Sequence, residues 1–295
     1  MFVFIFATKM KKALLIGCNY DNTPSQLYGC IDDIVNMRNV LVDVYAYDPA
    51  NIIMLRDDYP NNKPTRANMI AALNTIVKDS ANCEEIWIHY SGHGSQVRDA
   101  NSDEASGTDS VIVPLDYLTA GFIVDDDLYA IISKSKCRTI LLFDSCNSGT
   151  VVDLPWSINY LSQTTYSRTK NNKYALSNPN IFMISGCRDT QTSADTYSLE
   201  WSDPCGAFTC MFINSLRSMK HEGSFMQLYR NICYNLMQNG FTQIPVLSGS
   251  SSTPDFTLVR AGSRMVNAAS TPAKIQSSVT NGGTATKKNI SMFFV

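Results

Sequence analysis

The sequence contains one histidine and one cysteine whose surroundings suit nucleophilic chemistry. Ile86-Trp-Ile-His-Tyr-Ser-Gly-His-Gly94 and Thr139-Ile-Leu-Leu-Phe-Asp-Ser-Cys-Asn-Ser-Gly149 each join an apolar run to a polar, glycine-containing end. A thiol held beside an imidazole can lose its proton near neutral pH, attack a carbonyl and use the protonated imidazole to expel an amine. His93 and Cys146 are therefore the candidate base and nucleophile.

The two residues alone do not establish a site. A histidine and a cysteine often occur in one chain by chance, and a cysteine after an apolar strand is usually a core residue. The other histidines carry less information: His89 is interpreted as a core residue and His221 as a surface turn residue. Gly92 and Gly94 do not have the spacing of a phosphate-binding loop, so no organic cofactor is predicted.

Apolar, β-rich runs alternate with stretches of helical periodicity, which predicts an α/β fold with a largely parallel sheet. The strand runs are continuous in apolar residues, as expected of strands buried on both faces: 13–18, 52–55, 86–90, 139–143 and 181–185. Helices are predicted at 31–44, 68–77, 128–133, 207–219 and 225–237. Sites in such sheets assemble at the carboxyl ends of strands, so we expect His93 and Cys146 to meet at one edge.

The length and composition predict one folded domain with an extension at each end. The chain has 295 residues with 44% apolar content, enough to bury one sizeable core. We predict an N-terminal extension over 1–10, a folded domain over 11–260 and a flexible tail over 261–295, where Ser, Thr, Ala, Asn and Gly predominate.

Within the folded domain, a polar segment is predicted to be an exposed loop over 157–179. This loop would divide a larger part, 11–156, from a smaller part, 180–260. A last apolar stretch at 256–259 is expected to form an edge strand.

The charge and the cysteines restrict the partners and the compartment. The formal charge is −2 and the isoelectric point is near 5.9, which gives no electrostatic footprint for nucleic acid or an anionic membrane. Nine cysteines without a CxxC pair favour reduced thiols in a cytosol-like compartment. The apolar opening, 1–7, is too short for a signal sequence or a membrane span. We therefore expect a cytoplasmic protein that acts on a peptide or a small molecule.

The two polar clusters resemble the histidine and cysteine motifs of metacaspases. The similarity runs from about Lys12 to about Val259, and its further motifs are Gly29-Cys-Ile-Asp-Asp33, Gly206-Ala-Phe-Thr209 and Gln243-Ile-Pro245. The resemblance implies a caspase-like three-layer sandwich, a mostly parallel central sheet flanked by helices, and a thioester acyl-enzyme. It also implies an oxyanion hole made by the backbone N–H groups of Gly94 and Cys146. Asn147 departs from the family, where histidine commonly follows the nucleophile.

The resemblance also implies cleavage after arginine or lysine. The positions that match the family's specificity pocket are Cys30, Asp33, Ser91 and Asp144. Two carboxylates would pair with a guanidinium or ammonium group and repel an acidic side chain. Without the resemblance, Asp33 is equally explained by the first turn of a helix and Asp144 by a turn after a strand.

A second acidic set matches the calcium site of calcium-dependent metacaspases: Asp109, Asp125, Asp126 and Asp153. Calcium takes several oxygen ligands in flexible geometry, so carboxylates from separate loops are suitable. The alternative for the run 125–127 is an N-cap of the helix predicted at 128–133. The resemblance thus implies activation by calcium.

Basic residues in the predicted loop match the implied specificity and are candidate self-cleavage sites: Arg168, Lys170 and Lys173. The family implies a monomer. Two alternatives remain: a legumain-like or gingipain-like peptidase, and a catalytically weak, calcium-responsive interaction protein on the same fold.

Overall fold

The structure, a computed structural model, is organised around a central eight-stranded sheet. The residues described are 10–98, 107–146, 149, 151–171, 175–186, 195–197 and 204–263. In chain order the strands are β1 Met10–Gly17, β2 Ile52–Arg56, β3 Cys83–Ser91, β4 Gly94–Arg98, β5 Thr108–Ile112, β6 Ile123–Val124, β7 Arg138–Asp144, β8 Trp156–Tyr160, β9 Tyr166–Lys170, β10 Ile181–Ser185, β11 Asp195–Tyr197, β12 Pro204–Gly206, β13 Gly223–Ser224, β14 Val246–Gly249 and β15 Thr257–Leu258. The helices are α1 Cys30–Asp43, α2 Arg66–Asp79, α3 Tyr117–Ala120, α4 Asp125–Ile132, α5 Ala207–Ser218 and α6 Phe225–Gln238.

The five strands predicted from the sequence form the parallel part of this sheet. Strand β1 pairs in parallel with β2 and β3, β3 with β7, and β7 with β10. The antiparallel strands β14, β8 and β9 extend it on one side. The predicted mostly parallel sheet is therefore confirmed.

Helices cover both faces of the sheet, because side chains along each strand alternate between them. In β1, Ala13 and Leu15 pack in one core with residues of α1, α5 and α6, whereas Leu14 and Ile16 pack in a second core with α2 and α4. This arrangement is the expected three-layer sandwich. Helix α2 begins at Arg66, two residues before the predicted start, and the side chain of its N-cap, Thr65, accepts a hydrogen bond from the N–H of Asn68.

The segment predicted to be a loop over 157–179 contains a hairpin instead. Strands β8 and β9 pair antiparallel, and β8 also pairs with β14 of the central sheet. Ile158 and Tyr160 alternate on the buried side of β8, and this short period-two pattern is easily hidden among polar neighbours. Strand β9 is exposed at the sheet edge, which explains its polar composition.

The predicted edge strand at 256–259 is shorter than expected and lies outside the central sheet. Thr257 and Leu258 pair with Ser224 and Gly223 in a separate two-stranded sheet. The chain divides by its contacts into Met1–Gly262 and Ser263–Val295. The predicted subdivision of the folded domain remains a prediction.

The expectation that all thiols are reduced is wrong for Cys210, which is buried in α5 and disulfide-bonded. Sequence spacing does not reveal such a bond, because it depends on the distance between two Cα atoms in the fold. Among the described residues, no helix has the length and apolar character needed to cross a membrane.

Candidate active site

His93 and Cys146 leave the carboxyl ends of two neighbouring strands. Strands β3 and β7 are paired so that Ser91 lies opposite Asp144, and each candidate follows its strand by two residues. The N–H of Gly92 donates to the carbonyl oxygen of Asp144 at 3.2 Å. The pairing of β3 with β7 therefore places the segment that carries His93 next to the segment that carries Cys146.

The backbones of these segments are in contact at Gly94. A Cβ atom at this position would overlap the carbonyl oxygen of Cys146 and lie 3.2 Å from the Cβ of Ser145. Only glycine allows this approach. The arrangement brings together Gly94 and Cys146, the two residues expected to supply the oxyanion hole.

The imidazole of His93 is oriented by the loop after β1. Its Nε2 atom lies 2.7 Å from the carbonyl oxygen of Ser25. Since a carbonyl oxygen only accepts hydrogen bonds, Nε2 carries the proton, and in the neutral ring the lone pair is on Nδ1. His93 therefore presents Nδ1 as the basic atom.

Two buried tyrosines hold the backbone of His93. The N–H of His93 donates to the hydroxyl of Tyr20 at 3.1 Å, and that hydroxyl donates to the carbonyl oxygen of Val113 at 2.6 Å. The Tyr20 ring also lies against the imidazole, with centroids 4.8 Å apart. The hydroxyl of Tyr90 donates to the carbonyl oxygen of His93 at 2.7 Å. Tyr20 and Ser25 were not predicted, although Tyr20 lies just beyond the carboxyl end of the predicted strand 13–18.

Cys146 is the partly exposed thiol among the free cysteines of the described residues, and the others are buried. Burial raises the pKa of the Cys137 thiol to about 12 and also raises that of Cys18. Since the thiolate is the nucleophile, those buried thiols are inert. Accessibility thus distinguishes Cys146 from the structural cysteines.

The two carboxylates of the expected acidic pocket lie where α1, β3 and β7 meet. The hydroxyl of Ser91 donates to Oδ2 of Asp33 at 2.7 Å, and the N–H of Gly206 donates to Oδ1 of Asp33 at 3.0 Å. Asp144 accepts hydrogen bonds from both the N–H and the hydroxyl of Thr209, at 3.0 and 2.8 Å. Both carboxylates are buried.

Gly206 lies between the two carboxylates of this pocket. A Cβ atom there would overlap Oδ2 of Asp144 and come within 2.7 Å of Oδ2 of Asp33. The structure thus brings Asp33, Ser91 and Asp144 together. Cys30 is buried one helical turn before Asp33, so the two residues share a face of α1.

His89 lies under this pocket and does not act as a base. It is fully buried, and burial lowers its pKa to about 3. Its Nε2 atom is 3.4 Å from the hydroxyl of Thr209, which in turn donates to Asp144. The interpretation of His89 as a core residue therefore agrees with its environment.

Three of the four predicted calcium ligands converge. Oxygen atoms of Asp125, Asp126 and Asp153 all lie within 4.8 Å of one another. Asp153 adopts φ 46°, a left-handed conformation that costs energy for a residue other than glycine. Carboxylates this close repel one another and suit a hard cation with oxygen ligands, so the group fits Ca²⁺.

The neighbouring carboxylates have other positions. Asp109 lies in β5 and is not part of the converging group, although the N–H of the next residue, Ser110, donates to Asp125 at 2.7 Å. Asp127 pairs with Arg66 at 2.9 Å. The run 125–127 forms the first turn of α4 without a side-chain cap, so the N-cap alternative is wrong; Val124 occupies that position.

Two of the three self-cleavage candidates lie in a strand and not in the predicted loop. Arg168 and Lys170 lie in β9, opposite Ile158 and Trp156 of β8. Both are exposed. Lys173 and Asn147 lie outside the described residues.

Comparison with known proteins identifies the family of the chain. Residues 11–155 match the family model for the metacaspase, peptidase C14 domain. The chain is 35% identical to Metacaspase-1B of Aspergillus niger over 84% of its own length and 67% of that protein. It is 36% identical to Metacaspase-1 of Kluyveromyces lactis over 82% of its length and 66% of that protein, so it spans about two thirds of these relatives.

Solved structures show the same fold at low identity. Caspase-1 from Spodoptera frugiperda superposes with a TM-score of 0.54 at 10% identity, over 82% of this chain and 88% of that one. A crystal structure from Geobacter sulfurreducens gives 0.55 at 23% identity, over 85% and 94%. The caspase-like fold is thereby established, and the chain belongs to the metacaspase family of cysteine peptidases.

Proposed function

We propose that the chain is a calcium-activated endopeptidase that cleaves peptide bonds after arginine or lysine. The observation that carries this proposal is the pair of buried carboxylates, Asp33 and Asp144, on either side of Gly206. Asp144 ends the strand that leads to Cys146, and Asp33 of α1 accepts a hydrogen bond from Ser91, which ends the strand that leads to His93. A basic side chain in this pocket would present its own carbonyl group to the thiol.

The chemistry follows from the orientation of His93. Nδ1 takes the proton of the Cys146 thiol, and the thiolate sulfur attacks the carbonyl carbon of the substrate. The N–H groups of Gly94 and Cys146 stabilise the oxyanion. The protonated imidazole then donates its proton to the leaving amine, and water hydrolyses the remaining thioester with His93 again as the base.

The pocket favours a cationic side chain on electrostatic grounds. A carboxylate at the end of the substrate side chain would add a third negative charge to two that are already buried, which is unfavourable. A guanidinium or ammonium would replace that repulsion with charge-assisted hydrogen bonds. The legumain-like alternative does not account for two carboxylates in this position.

Asp125, Asp126 and Asp153 would hold the activating calcium. When bound, the cation would neutralise their mutual repulsion. Asp153 lies seven residues after Cys146 in the chain, and Asp125 is tied to β5 through Ser110. Fixing Asp153 would therefore restrain the segment that follows the nucleophile.

Self-cleavage after Arg168, Lys170 or Lys173 is part of the proposal, with one condition. Proteases bind substrates in an extended form separated from other strands, so β9 must detach from β8 before Arg168 or Lys170 can enter the site. Intact-mass analysis of the protein incubated in calcium tests this point. A cut between 157 and 179 is expected, and an uncut chain with full peptidase activity would contradict it.

Peptide hydrolysis tests the proposed function. We expect fluorogenic peptides ending in Arg or Lys to be cleaved in millimolar calcium, whereas the matched Asp peptide is not. Cys146→Ala is the control that should abolish cleavage without loss of folding. Failure of the folded, calcium-loaded protein to cleave any peptide would favour the interaction protein instead.

A further inference from the structure

A second cavity lies against His93 and is distinct from the acidic pocket. It has a volume of about 250 Å³. This is below the roughly 300–1,000 Å³ typical of small-molecule sites, and so suits a single side chain. His93 and Gly94 contribute to its wall, together with Ser25, Val113, Tyr117 and Phe122.

The two pockets are built from different parts of the fold. Asp33 and Thr209 of the acidic pocket lie on α1 and α5, which pack on one face of the central sheet. Val113, Tyr117 and Phe122 of the second cavity belong to a separate apolar cluster with Tyr20. His93 lines the second cavity and follows Ser91, which bonds to Asp33, so it adjoins both.

One side of the second cavity is apolar and fixed in place, whereas Ser25, Ser95 and His93 add polar groups to the rest of its wall. The rings of Tyr117 and Phe122 stack with centroids 5.7 Å apart and an angle of 18°. The guanidinium of Arg66 donates to the carbonyl oxygen of Phe122 at 2.9 Å, and the N–H of Leu115 donates to the carbonyl oxygen of Pro64 at 2.9 Å. Among the described residues that line the cavity, none is Asp, Glu, Lys or Arg.

The cavity lies beside the group that must protonate the leaving part of the substrate. His93 must give its proton to the leaving amine nitrogen, so the residue bonded through that nitrogen lies against the imidazole. The second cavity is lined by His93 and by Gly94, so it offers space for that residue's side chain beside the imidazole. Burial of an apolar side chain there removes it from water without leaving a charge unpaired.

We propose that this cavity binds the side chain of the residue immediately after the scissile bond and selects aliphatic or aromatic residues. The inference rests on the proposed function and narrows its substrate class. Arginine or lysine defines one side of the bond, and a large apolar residue defines the other.

A series of internally quenched peptides tests the subsite. All carry Arg before the bond and differ only in the next residue: Phe, Leu, Gly, Ser, Asp or Lys. We expect kcat/KM for the Phe and Leu peptides to exceed that for the Gly, Asp and Lys peptides by roughly 10-fold to 100-fold, as apolar burial of this size provides.

Two substitutions of Phe122 test whether the cavity itself determines this preference. Phe122→Ala should lower kcat/KM for the Phe and Leu peptides and leave the Gly peptide unchanged, and Phe122→Arg should raise cleavage of the Asp peptide. Leu118→Ala, in the same helix α3 but exposed to solvent and outside the cavity wall, is the matched control and should keep the wild-type preference. Circular dichroism checks that each variant is folded, and the wild-type series stands without them.

The possible outcomes separate the subsite from the proposed function. Equal cleavage of all six peptides would overturn the subsite and leave cleavage after Arg intact. Preference for Asp or Lys in the wild-type protein would also overturn it. Absence of cleavage in every peptide would overturn the proposed function, and the subsite with it.

Discussion

The Nε2 atom of His93 lies 2.7 Å from the carbonyl oxygen of Ser25. This contact ties the loop after β1 to the end of β3 and fixes which imidazole nitrogen carries the proton. The same loop supplies Tyr20, whose hydroxyl holds the N–H of His93. The base is therefore positioned by residues far from it in the sequence.

Removal of the Tyr20 hydroxyl should lower kcat by more than the accompanying loss of folding stability explains. In Tyr20→Phe the ring remains, but the bonds to the His93 N–H and the Val113 carbonyl are lost. We expect kcat to fall by about 10-fold with little change in KM, because the hydroxyl acts through His93. Steady-state kinetics on the Arg peptide measures this effect.

Tyr47→Phe is the matched control for this substitution. Tyr47 is also buried, and its hydroxyl donates to Glu85 at 2.7 Å away from the site. Both variants should lose about 1–2 kcal/mol of unfolding free energy. Equal kcat values in the two variants would contradict the positioning role of Tyr20.

The charge of Asp33 should determine the preference for a cationic side chain. Wild-type protein is expected to cleave an Arg peptide faster than its uncharged citrulline analogue by roughly 100-fold. Asp33→Asn should reduce that ratio, since one buried negative charge is lost. Asp58→Asn removes a surface carboxylate paired with Arg56 and should keep the wild-type ratio. An unchanged ratio in Asp33→Asn would exclude this carboxylate from recognition.

Calcium should bind through the converging carboxylates and not through the adjacent one. Asp126→Asn is expected to weaken calcium binding by 10-fold or more, as about 1.4 kcal/mol of lost interaction gives. Asp127→Asn lies in the same helical turn but belongs to the pair with Arg66, and it should bind calcium normally. Titration calorimetry of both proteins measures the difference, and equal weakening would refute the assignment.

His89 should make the folded state sensitive to acid. Burial lowers its pKa from the ordinary value of 6.5 to about 3, so only the unfolded chain takes up a proton between these limits. Stability from this residue is complete above pH 6.5 and falls as the pH drops toward 3, by up to about 1.4 kcal/mol per pH unit. In His89→Gln that contribution should be missing from urea-unfolding data between pH 4 and 7. Parallel stability curves for the two proteins would contradict the buried, neutral histidine.

The buried elements were predictable because their side chains leave a clear pattern. Strands β1, β3 and β7 are nearly continuous apolar runs, and His93 and Cys146 follow two of them. The hairpin of β8 and β9 was not predicted. Strand β9 is exposed and polar, and in β8 only two apolar residues, Ile158 and Tyr160, are buried. Central strands are buried on both faces and so have continuous apolar sequences. Edge strands lack the second buried face, which makes them harder to predict.

The support of the site could not be read from local sequence. Ser25 acts through its carbonyl oxygen, which every residue type possesses. Gly206 and Thr209 were part of a recognised motif, but their contacts with Asp33 and Asp144 depend on how α5 packs beside α1. The converging group omitted Asp109 for the same reason: position in the fold, and not residue type, decides which carboxylates meet.

Covalent trapping tests both the role of Cys146 as the nucleophile and the preference of the acidic pocket for a basic side chain. Peptidyl chloromethyl ketones that end in Arg or Asp would be incubated with the calcium-loaded protein, and the modified residue mapped by mass spectrometry. We expect rapid alkylation of Cys146 by the Arg reagent, and much slower alkylation by the Asp reagent or in the His93→Ala variant. Modification at another cysteine, or equal reaction with both reagents, would contradict it.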